Sequence, residues 1–138
     1  MTESKKRIGA IVQARNGSSR FPRKVFAEIA GRPVLGHIID RLRRCRRLDE
    51  IVIATSTRDI DREIADYADK QGVRSFTGSE NDVQSRYLDA AKKYRIDVIV
   101  RICGDSPFID PDMIDRLIDE LLQKGGDYAE PDPATCCT

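Results

Sequence analysis

The sequence predicts an α/β fold in which a mostly parallel sheet is covered by helices on both faces. Short apolar, β-branched runs alternate with amphipathic stretches of about 10 to 15 residues, which is typical of strand–helix–strand units. No repeat, low-complexity tract or linker interrupts this alternation, and 138 residues fit one domain. We therefore expect a single domain over residues 1–138, with residues 129–138 as a tail. A chain of this length needs neither disulfides nor a structural metal to hold a core.

The first predicted strand covers residues 7–14, where the run RIGAIVQA is apolar and β-branched. A segment rich in Gly, Ser, Arg and Pro follows, which is typical of a functional loop. Residues 24–29 are predicted to be extended. A turn at residues 31–33 places Pro33 near the first position of a helix that ends near Arg44, and its apolar positions lie on one face: Val34, Leu35, Ile38, Ile39 and Leu42.

The second predicted strand covers residues 50–56, and a helix over 59–71 follows it. Asp59 is the expected N-cap of this helix, and Gly72 is its expected stop. A third short strand is predicted at residues 73–76.

A loop at residues 78–82 precedes a helix over 83–94, whose predicted inward-facing residues are Val83, Tyr87, Leu88 and Ala91. The fourth strand covers residues 97–102, and the last helix runs from 111 to about 124. Ligands of parallel sheets bind beyond the carboxyl ends of the strands, and the two unusual loops of this chain fall there.

The loop after the first strand has the composition of a phosphate-binding site. Gly and Ser leave backbone N–H groups approachable, and the cationic donors are Arg15, Arg20, Arg23 and Lys24. Its spacing fits neither the P-loop of NTPases nor a dinucleotide fingerprint. A basic, solvated loop is the alternative interpretation, but charged donors at the end of a buried strand favour an anion.

The loop after the fourth strand, residues 104–110, offers a candidate metal ligand. Asp105 directly follows the strand, where a carboxylate is well placed to hold Mg²⁺ against phosphates. Asp110 is predicted to cap the last helix, with Pro111 at its first position.

Other reactive side chains are given structural roles. The four cysteines have neither metal-ligand nor redox spacing and are expected to be reduced thiols: Cys45, Cys103, Cys136 and Cys137. His37 lies in an amphipathic helix without a partner, so packing or a capping hydrogen bond is favoured over catalysis. The basic segment 41–47 suits the C-terminal dipole of a helix. It lacks interleaved aromatic residues, which argues against nucleic acid as a partner.

The composition excludes further classes. The formal net charge is +1 and 40% of the residues are hydrophobic, so the chain is not predicted to be disordered. No apolar run approaches the roughly 20 residues that span a bilayer, and the N-terminus has no cleavage site. We expect a cytoplasmic protein without a membrane partner. Basic residues are concentrated before residue 48 and acidic residues after it, which favours a small polyanion as ligand.

Three ordered motifs carry a resemblance: IVQARNGSSRFPRK at 11–24, IAGRPVL at 29–35 and GDSP at 104–107. Together they resemble the sugar-nucleotide cytidylyltransferases, and GSENDV at 78–83 with Arg86 and Tyr87 is similar to the spore coat polysaccharide biosynthesis branch. The resemblance runs from about residue 7 to residue 128. It implies a nucleotide-diphospho-sugar transferase fold, a Rossmann-like three-layer α/β/α sandwich.

The implied reaction transfers CMP from CTP to a sugar acid or related acceptor, with Mg²⁺ and with release of pyrophosphate, in polysaccharide biosynthesis. The resemblance makes Arg15 and Lys24 catalytic and Asp105 the metal ligand. It assigns nucleotide binding to Ala14, Arg15, Gly17, Ser18, Arg20, Lys24, Ser79 and Arg86. The implied partners are CTP and the acceptor, and a homodimer is left open.

Members of this family continue well past the matched region, and their later part supplies a second acidic metal ligand and much of the acceptor pocket. The chain is therefore expected to be C-terminally short, either as a fragment or as a shortened gene product. We expect the chain to bind nucleotide but to show weak or no turnover, unless a carboxylate near its end replaces the second metal ligand. The candidates are Asp127, Glu130 and Asp132. Two alternatives stay open, a non-catalytic nucleotide-binding module and a glycosyltransferase whose Asp-x-Asp motif would be residues 110–112.

Overall fold

The computed structural model of the chain describes residues 6–17, 23–79, 81–104 and 109–124. Its strands are β1 (Ile8–Gln13), β2 (Glu28–Ile29), β3 (Arg32–Pro33), β4 (Glu50–Ser56), β5 (Arg74–Gly78) and β6 (Val98–Cys103). Its α-helices are α1 (Val34–Leu42), α2 (Arg62–Lys70), α3 (Val83–Lys93) and α4 (Pro111–Lys124). Short 3-10 helices cover Lys24–Phe26 and Asp59–Asp61.

Four of the strands form one parallel sheet in the order β5-β4-β1-β6. β1 lies inside the sheet, with Ile11 paired to Val52 of β4 and to Arg101 of β6. The chain moves outward from β1 through β4 to β5 and then crosses to the other side of β1. The strand order therefore reverses between β1 and β6, and such a reversal opens a crevice at the carboxyl ends of the two strands.

Helices cover both faces of this sheet. On one face, α1, α2 and α4 share a core with apolar side chains of β1, β4 and β6, and the buried helix residues include Leu35, Ile64 and Ile118. On the other face α3 packs through Tyr87, Ala90 and Ala91. The predicted α/β class and the three-layer α/β/α arrangement are confirmed. No described helix is long and apolar enough to cross a membrane.

Most predicted elements lie within two residues of their observed bounds. All five apolar positions assigned to α1 are buried, and Gly72 ends α2 with a φ of 76°. Residues 24–29 differ from the extended piece predicted, because the 3-10 helix there precedes a two-residue hairpin. That hairpin turns through Ala30 and Gly31, both at positive φ.

Two details of the helix predictions are wrong. Asp59 does not cap α2: its side chain is 98% exposed, and the residue before α2 is Asp61. Leu88 of α3 is 50% exposed, whereas Tyr87 and Ala91 are buried as predicted. Arg86 and Ala90 are also buried, so a charged side chain shares the inward face of this helix.

Candidate active site

At the crevice between β1 and β6, the ends of the two strands lie in close contact. The N–H of Gly104 donates to the carbonyl of Gln13 at 2.7 Å. A Cβ on Gly104 would lie 2.5 Å from that carbonyl oxygen and 3.0 Å from Cβ of Ala14. Only glycine fits this position, so the segment that begins with Gly104 starts directly against the basic loop that follows β1.

The first residues of the basic loop continue the sheet. Ala14 is buried, and its N–H donates to the carbonyl of Ala54 at 3.0 Å, which extends the β1–β4 ladder by one step. Arg15 is half-buried, and its Nη2 would lie 3.6 Å from a Cβ on Gly17. The Arg15 side chain is therefore turned toward the loop that it precedes.

Asn16 has a role that the sequence did not indicate. Its backbone N–H donates to Oδ1 of Asp61 at 2.7 Å. Its side-chain Nδ2 donates to the carbonyl of Ile60 at 2.6 Å and to Oε1 of Glu63 at 2.9 Å. One of the N–H groups expected to face a phosphate is thus already bonded within the protein.

The segment after β4 forms the other wall of the loop. A Cβ on Gly17 would lie 3.2 Å from Nη1 of Arg58 and 3.5 Å from Cδ1 of Ile60. Arg58 is therefore a further cation beside the loop, separated from the motif by about forty residues of sequence. Ser18 and Arg20, both predicted to bind nucleotide, lie outside the described residues.

The loop ends at Arg23, which adopts a left-handed conformation with a φ of 57°. Its guanidinium makes a two-point contact with Glu63, Nε to Oε1 at 2.7 Å and Nη2 to Oε2 at 3.2 Å. Of the predicted cationic donors, Arg23 is thus already engaged by a carboxylate. Lys24 begins the 3-10 helix and is exposed.

Ser79 and Arg86, both predicted to bind nucleotide, lie at the carboxyl end of β5. The hydroxyl of Ser79 accepts the N–H of Asp82 at 3.1 Å, and Asp82 caps α3 by accepting the N–H of Ser85 at 3.0 Å. Arg86, in the first turns of α3, is only 1% exposed. Its Cγ would lie 3.1 Å from a Cβ on Gly78, so this buried guanidinium-bearing side chain packs on the strand end.

Two polar side chains of the sheet, Gln13 and Arg101, lie against Tyr87 of α3. The hydroxyl of Tyr87 lies 3.5 Å from Oε1 of Gln13, the last residue of β1. The guanidinium of Arg101 lies 4.5 Å from the centre of the Tyr87 ring. Burial raises the pKa of the Tyr87 phenol above its usual value, although Arg101 opposes that shift. Arg101 could have been identified as the one charge within an apolar strand.

The metal prediction rests on Asp105, which lies outside the described residues. Within the described ranges no group of three or more His, Cys, Asp and Glu side chains could hold a metal ion. Asp110 is the cap that was predicted, since its carboxylate accepts the N–H of Asp112 at 3.0 Å. The Asp-x-Asp spacing of residues 110–112 is therefore explained by a helix start.

The basic segment 41–47 and His37 have structural partners. Arg41 donates to the carbonyl of Ile109 at 3.0 Å, and Arg47 forms an ion pair with Asp119 at 2.8 Å. The cluster thus fastens α4 to the end of α1. Nε2 of His37 lies 2.6 Å from the carbonyl oxygen of Ile29, the hydrogen-bonding role that was expected.

The basic loop and the acidic loop (residues 104–110) both begin where the strand order of the parallel sheet reverses. This arrangement is typical of a nucleotide-binding α/β protein. Residues 9–134 match the family model described as "Cytidylyltransferase". The chain belongs to the cytidylyltransferase family. The matched range extends six residues beyond residue 128, where the resemblance read from the motifs ended.

Individual proteins of this family resemble the chain closely. The spore coat polysaccharide biosynthesis protein SpsF of Bacillus subtilis is 36% identical over 122 residues, 86% of this chain and 51% of SpsF. A 3-deoxy-manno-octulosonate cytidylyltransferase from an Anaeromyxobacter species is 37% identical over 116 residues, 82% of this chain and 46% of that enzyme.

A solved cytidylyltransferase from Leptospira borgpetersenii superposes with a TM-score of 0.84 at 39% identity, covering 88% of this chain and 51% of the other. The chain thus spans about half the length of the relatives it matches.

Proposed function

We propose that this chain binds CTP with Mg²⁺ and transfers CMP to a sugar-acid-type acceptor, with release of pyrophosphate. The observation that carries the proposal is the 2.7 Å hydrogen bond between Gly104 and Gln13, which joins the start of the acidic loop to the start of the basic one. A triphosphate and its metal ion require cationic donors and a carboxylate close to the same point. This hydrogen bond supports the proposal because the two loops begin on either side of it.

The basic loop supplies the electrostatic part of this mechanism. Arg15 and Lys24, with Ser18 and Arg20 between them in sequence, are proposed to bind the triphosphate. Charge builds on the departing pyrophosphate as the bond to the α-phosphorus breaks, and cationic donors fixed in place lower the barrier. Arg23 is left out of this set, because its guanidinium is already bound by Glu63.

Asp105 is the proposed Mg²⁺ ligand. Gly104, the residue before Asp105, lies directly against Ala14 at the start of the basic loop, and a carboxylate is the hard oxygen donor that Mg²⁺ prefers. When bound, the ion would neutralise phosphate charge. The protein would hold it through Asp105 and position the triphosphate through the basic loop.

The acceptor and pathway are proposed from the names of relatives. One relative is a cytidylyltransferase for 3-deoxy-manno-octulosonate, a sugar acid, and another acts in spore coat polysaccharide biosynthesis. Ser79 and Arg86 would contribute to the base or acceptor side of the site. A homodimer and a cytoplasmic location stay predictions.

A second candidate is a nucleotide-binding module without turnover, which the same contact between Gly104 and Gln13 would serve. Pyrophosphate release by the purified chain separates the two candidates, measured with Mg²⁺, each of the four nucleoside triphosphates and a small panel of sugar acids. Release that depends on CTP and on one acid would establish the enzyme. CTP binding without release would establish the module, and absence of binding to any triphosphate would refute both.

A further inference from the structure

Asp61 is a fully buried acidic residue that the proposed mechanism does not use. It precedes α2, where an aspartate ordinarily caps its own helix, yet its side chain makes no capping hydrogen bond. Oδ1 instead accepts the N–H of Asn16 at 2.7 Å, and Oδ2 accepts the hydroxyl of Ser56. The carboxylate thus binds the loop after β1 and the end of β4, and it does not cap α2.

Glu63, two residues further on, binds the same loop at both ends. Its Oε1 accepts Nδ2 of Asn16 at 2.9 Å, and its two oxygens bind the guanidinium of Arg23. The N–H of Arg23 also donates to the carbonyl of Asn16 at 3.2 Å. The entrance and the exit of the loop are therefore tied to each other and to one short segment.

We propose that Asp61 and Glu63 are positioning residues that hold the two ends of the basic loop, at Asn16 and Arg23, for triphosphate binding, an inference that rests on the proposed function. Asn16 lies between Arg15 and Gly17, and Arg23 precedes Lys24, so each carboxylate fixes a neighbour of a proposed phosphate ligand. A loop ordered in advance loses less conformational entropy when it binds. Charged donors that are already placed also need no reorganisation during the reaction.

Both carboxylates can lie near an anion site because other groups of the protein already bind them. Asp61 accepts hydrogen bonds from a backbone N–H and a hydroxyl in the protein interior, and Glu63 is paired with Arg23. A positioning role predicts a loss that depends on the phosphates. A purely structural role predicts an equal loss for any ligand of the crevice.

The test uses the full chain and four variants: Asp61→Ala, Asp61→Asn, Glu63→Ala and Asp59→Ala. Calorimetry with CTP and Mg²⁺ is compared with NMR titration of cytidine, which lacks phosphates. We expect Asp61→Ala and Glu63→Ala to weaken CTP binding about tenfold, as for loss of a charge-assisted contact, and to change cytidine binding less than about twofold. Asp61→Asn keeps an acceptor oxygen and should restore most of the affinity. Asp59→Ala, an exposed neighbour, should behave as the wild type.

Equal losses for CTP and cytidine, or unchanged CTP affinity in Glu63→Ala, would overturn the inference while leaving the proposed function intact. Glu63 and Arg23 are both substantially exposed, so Glu63→Ala provides the test even if Asp61→Ala fails to fold. A wild-type chain that binds no CTP would instead refute the proposed function, and this inference with it.

Discussion

The carboxylate of Asp110 accepts the backbone N–H of Asp112 at 3.0 Å, the bond of an N-cap to the second residue of its helix. Asp110 therefore stabilises α4, whereas Asp105, five residues earlier, is the proposed metal ligand. Two aspartates in one loop are assigned different roles, and those roles can be separated by substitution.

Asp110→Ala should lower the free energy of unfolding by ~0.5–2 kcal/mol and leave CTP binding nearly unchanged, because it removes only a cap. Asp105→Asn should weaken Mg²⁺-dependent CTP binding and leave the melting temperature nearly unchanged. Urea denaturation and calorimetry measure the two effects. The opposite pattern would exchange the two assignments.

Replacement of Arg15 or Lys24 by Ala should weaken CTP binding about tenfold or more, because a charge-assisted contact of ~1.5–3 kcal/mol is lost. Stability should change little. The matched control is Arg44→Ala, which removes an exposed cation beyond the end of α1, away from the crevice. If calorimetry gave the same affinity for all three variants, the loop would be only a solvated basic segment.

CTP with Mg²⁺ should raise the melting temperature of the chain, since a ligand that binds only the folded state stabilises it. Differential scanning fluorimetry of the chain with and without CTP and Mg²⁺ measures this shift. An unchanged melting temperature would contradict nucleotide binding.

The thiol of Cys45 should be unreactive in the folded chain. Burial, reinforced by the negative charges of Asp115, Asp112 and Asp110, raises its pKa from 9.0 to about 12. At about pH 8, alkylation followed by peptide mapping should label the exposed Cys103 well before Cys45. Equal labelling rates in the native protein would contradict this.

The same pKa shift has a consequence for stability. The unfolded thiol ionises near pH 9.0 while the folded thiol remains neutral to about 12. The unfolded state therefore loses its proton first, and the contribution of Cys45 is complete below pH 9.0 and declines as the pH rises toward 12. Between about pH 8 and about pH 10, the urea midpoint should therefore fall less in Cys45→Ala than in the wild type.

Gly104→Ala should destabilise the fold by ~1–3 kcal/mol, the usual cost of overpacking, because the new Cβ would meet the carbonyl of Gln13. Gly17→Ala is the control, since its nearest obstacle is the flexible end of Arg58. Urea denaturation of both variants measures the difference. Equal stability of the two would mean that the strand ends separate easily.

The sheet and its helices were predictable because the buried apolar residues recur along the sequence with the period of a helix or a strand. The five apolar positions of α1 illustrate this, since each is buried. The exposure of Leu88 and the burial of Arg86 on α3 were not predictable. Arg86 is polar by composition yet lies in the interior, and no period of apolar residues indicates that a guanidinium is drawn inward at the strand end.

The candidate site divides in the same way. The two loops were found because Gly, Ser and charged residues break the apolar pattern at strand ends. Asp61 was missed in favour of Asp59, because either aspartate has a capping position in sequence and only the packing of the loop onto α2 distinguishes them. Pairings over forty or more positions, such as Asn16 with Asp61, leave no local signal.

The interior position of β1 also constrains how the chain is made. β1 is synthesised long before β6, yet Ile8 pairs with Val98, and the neighbouring contact between Arg7 and Asp97 spans 90 positions. Until β6 is synthesised, one edge of the apolar strand β1 has no partner strand, and such an edge promotes misassociation. The crevice between β1 and β6 therefore forms late in folding.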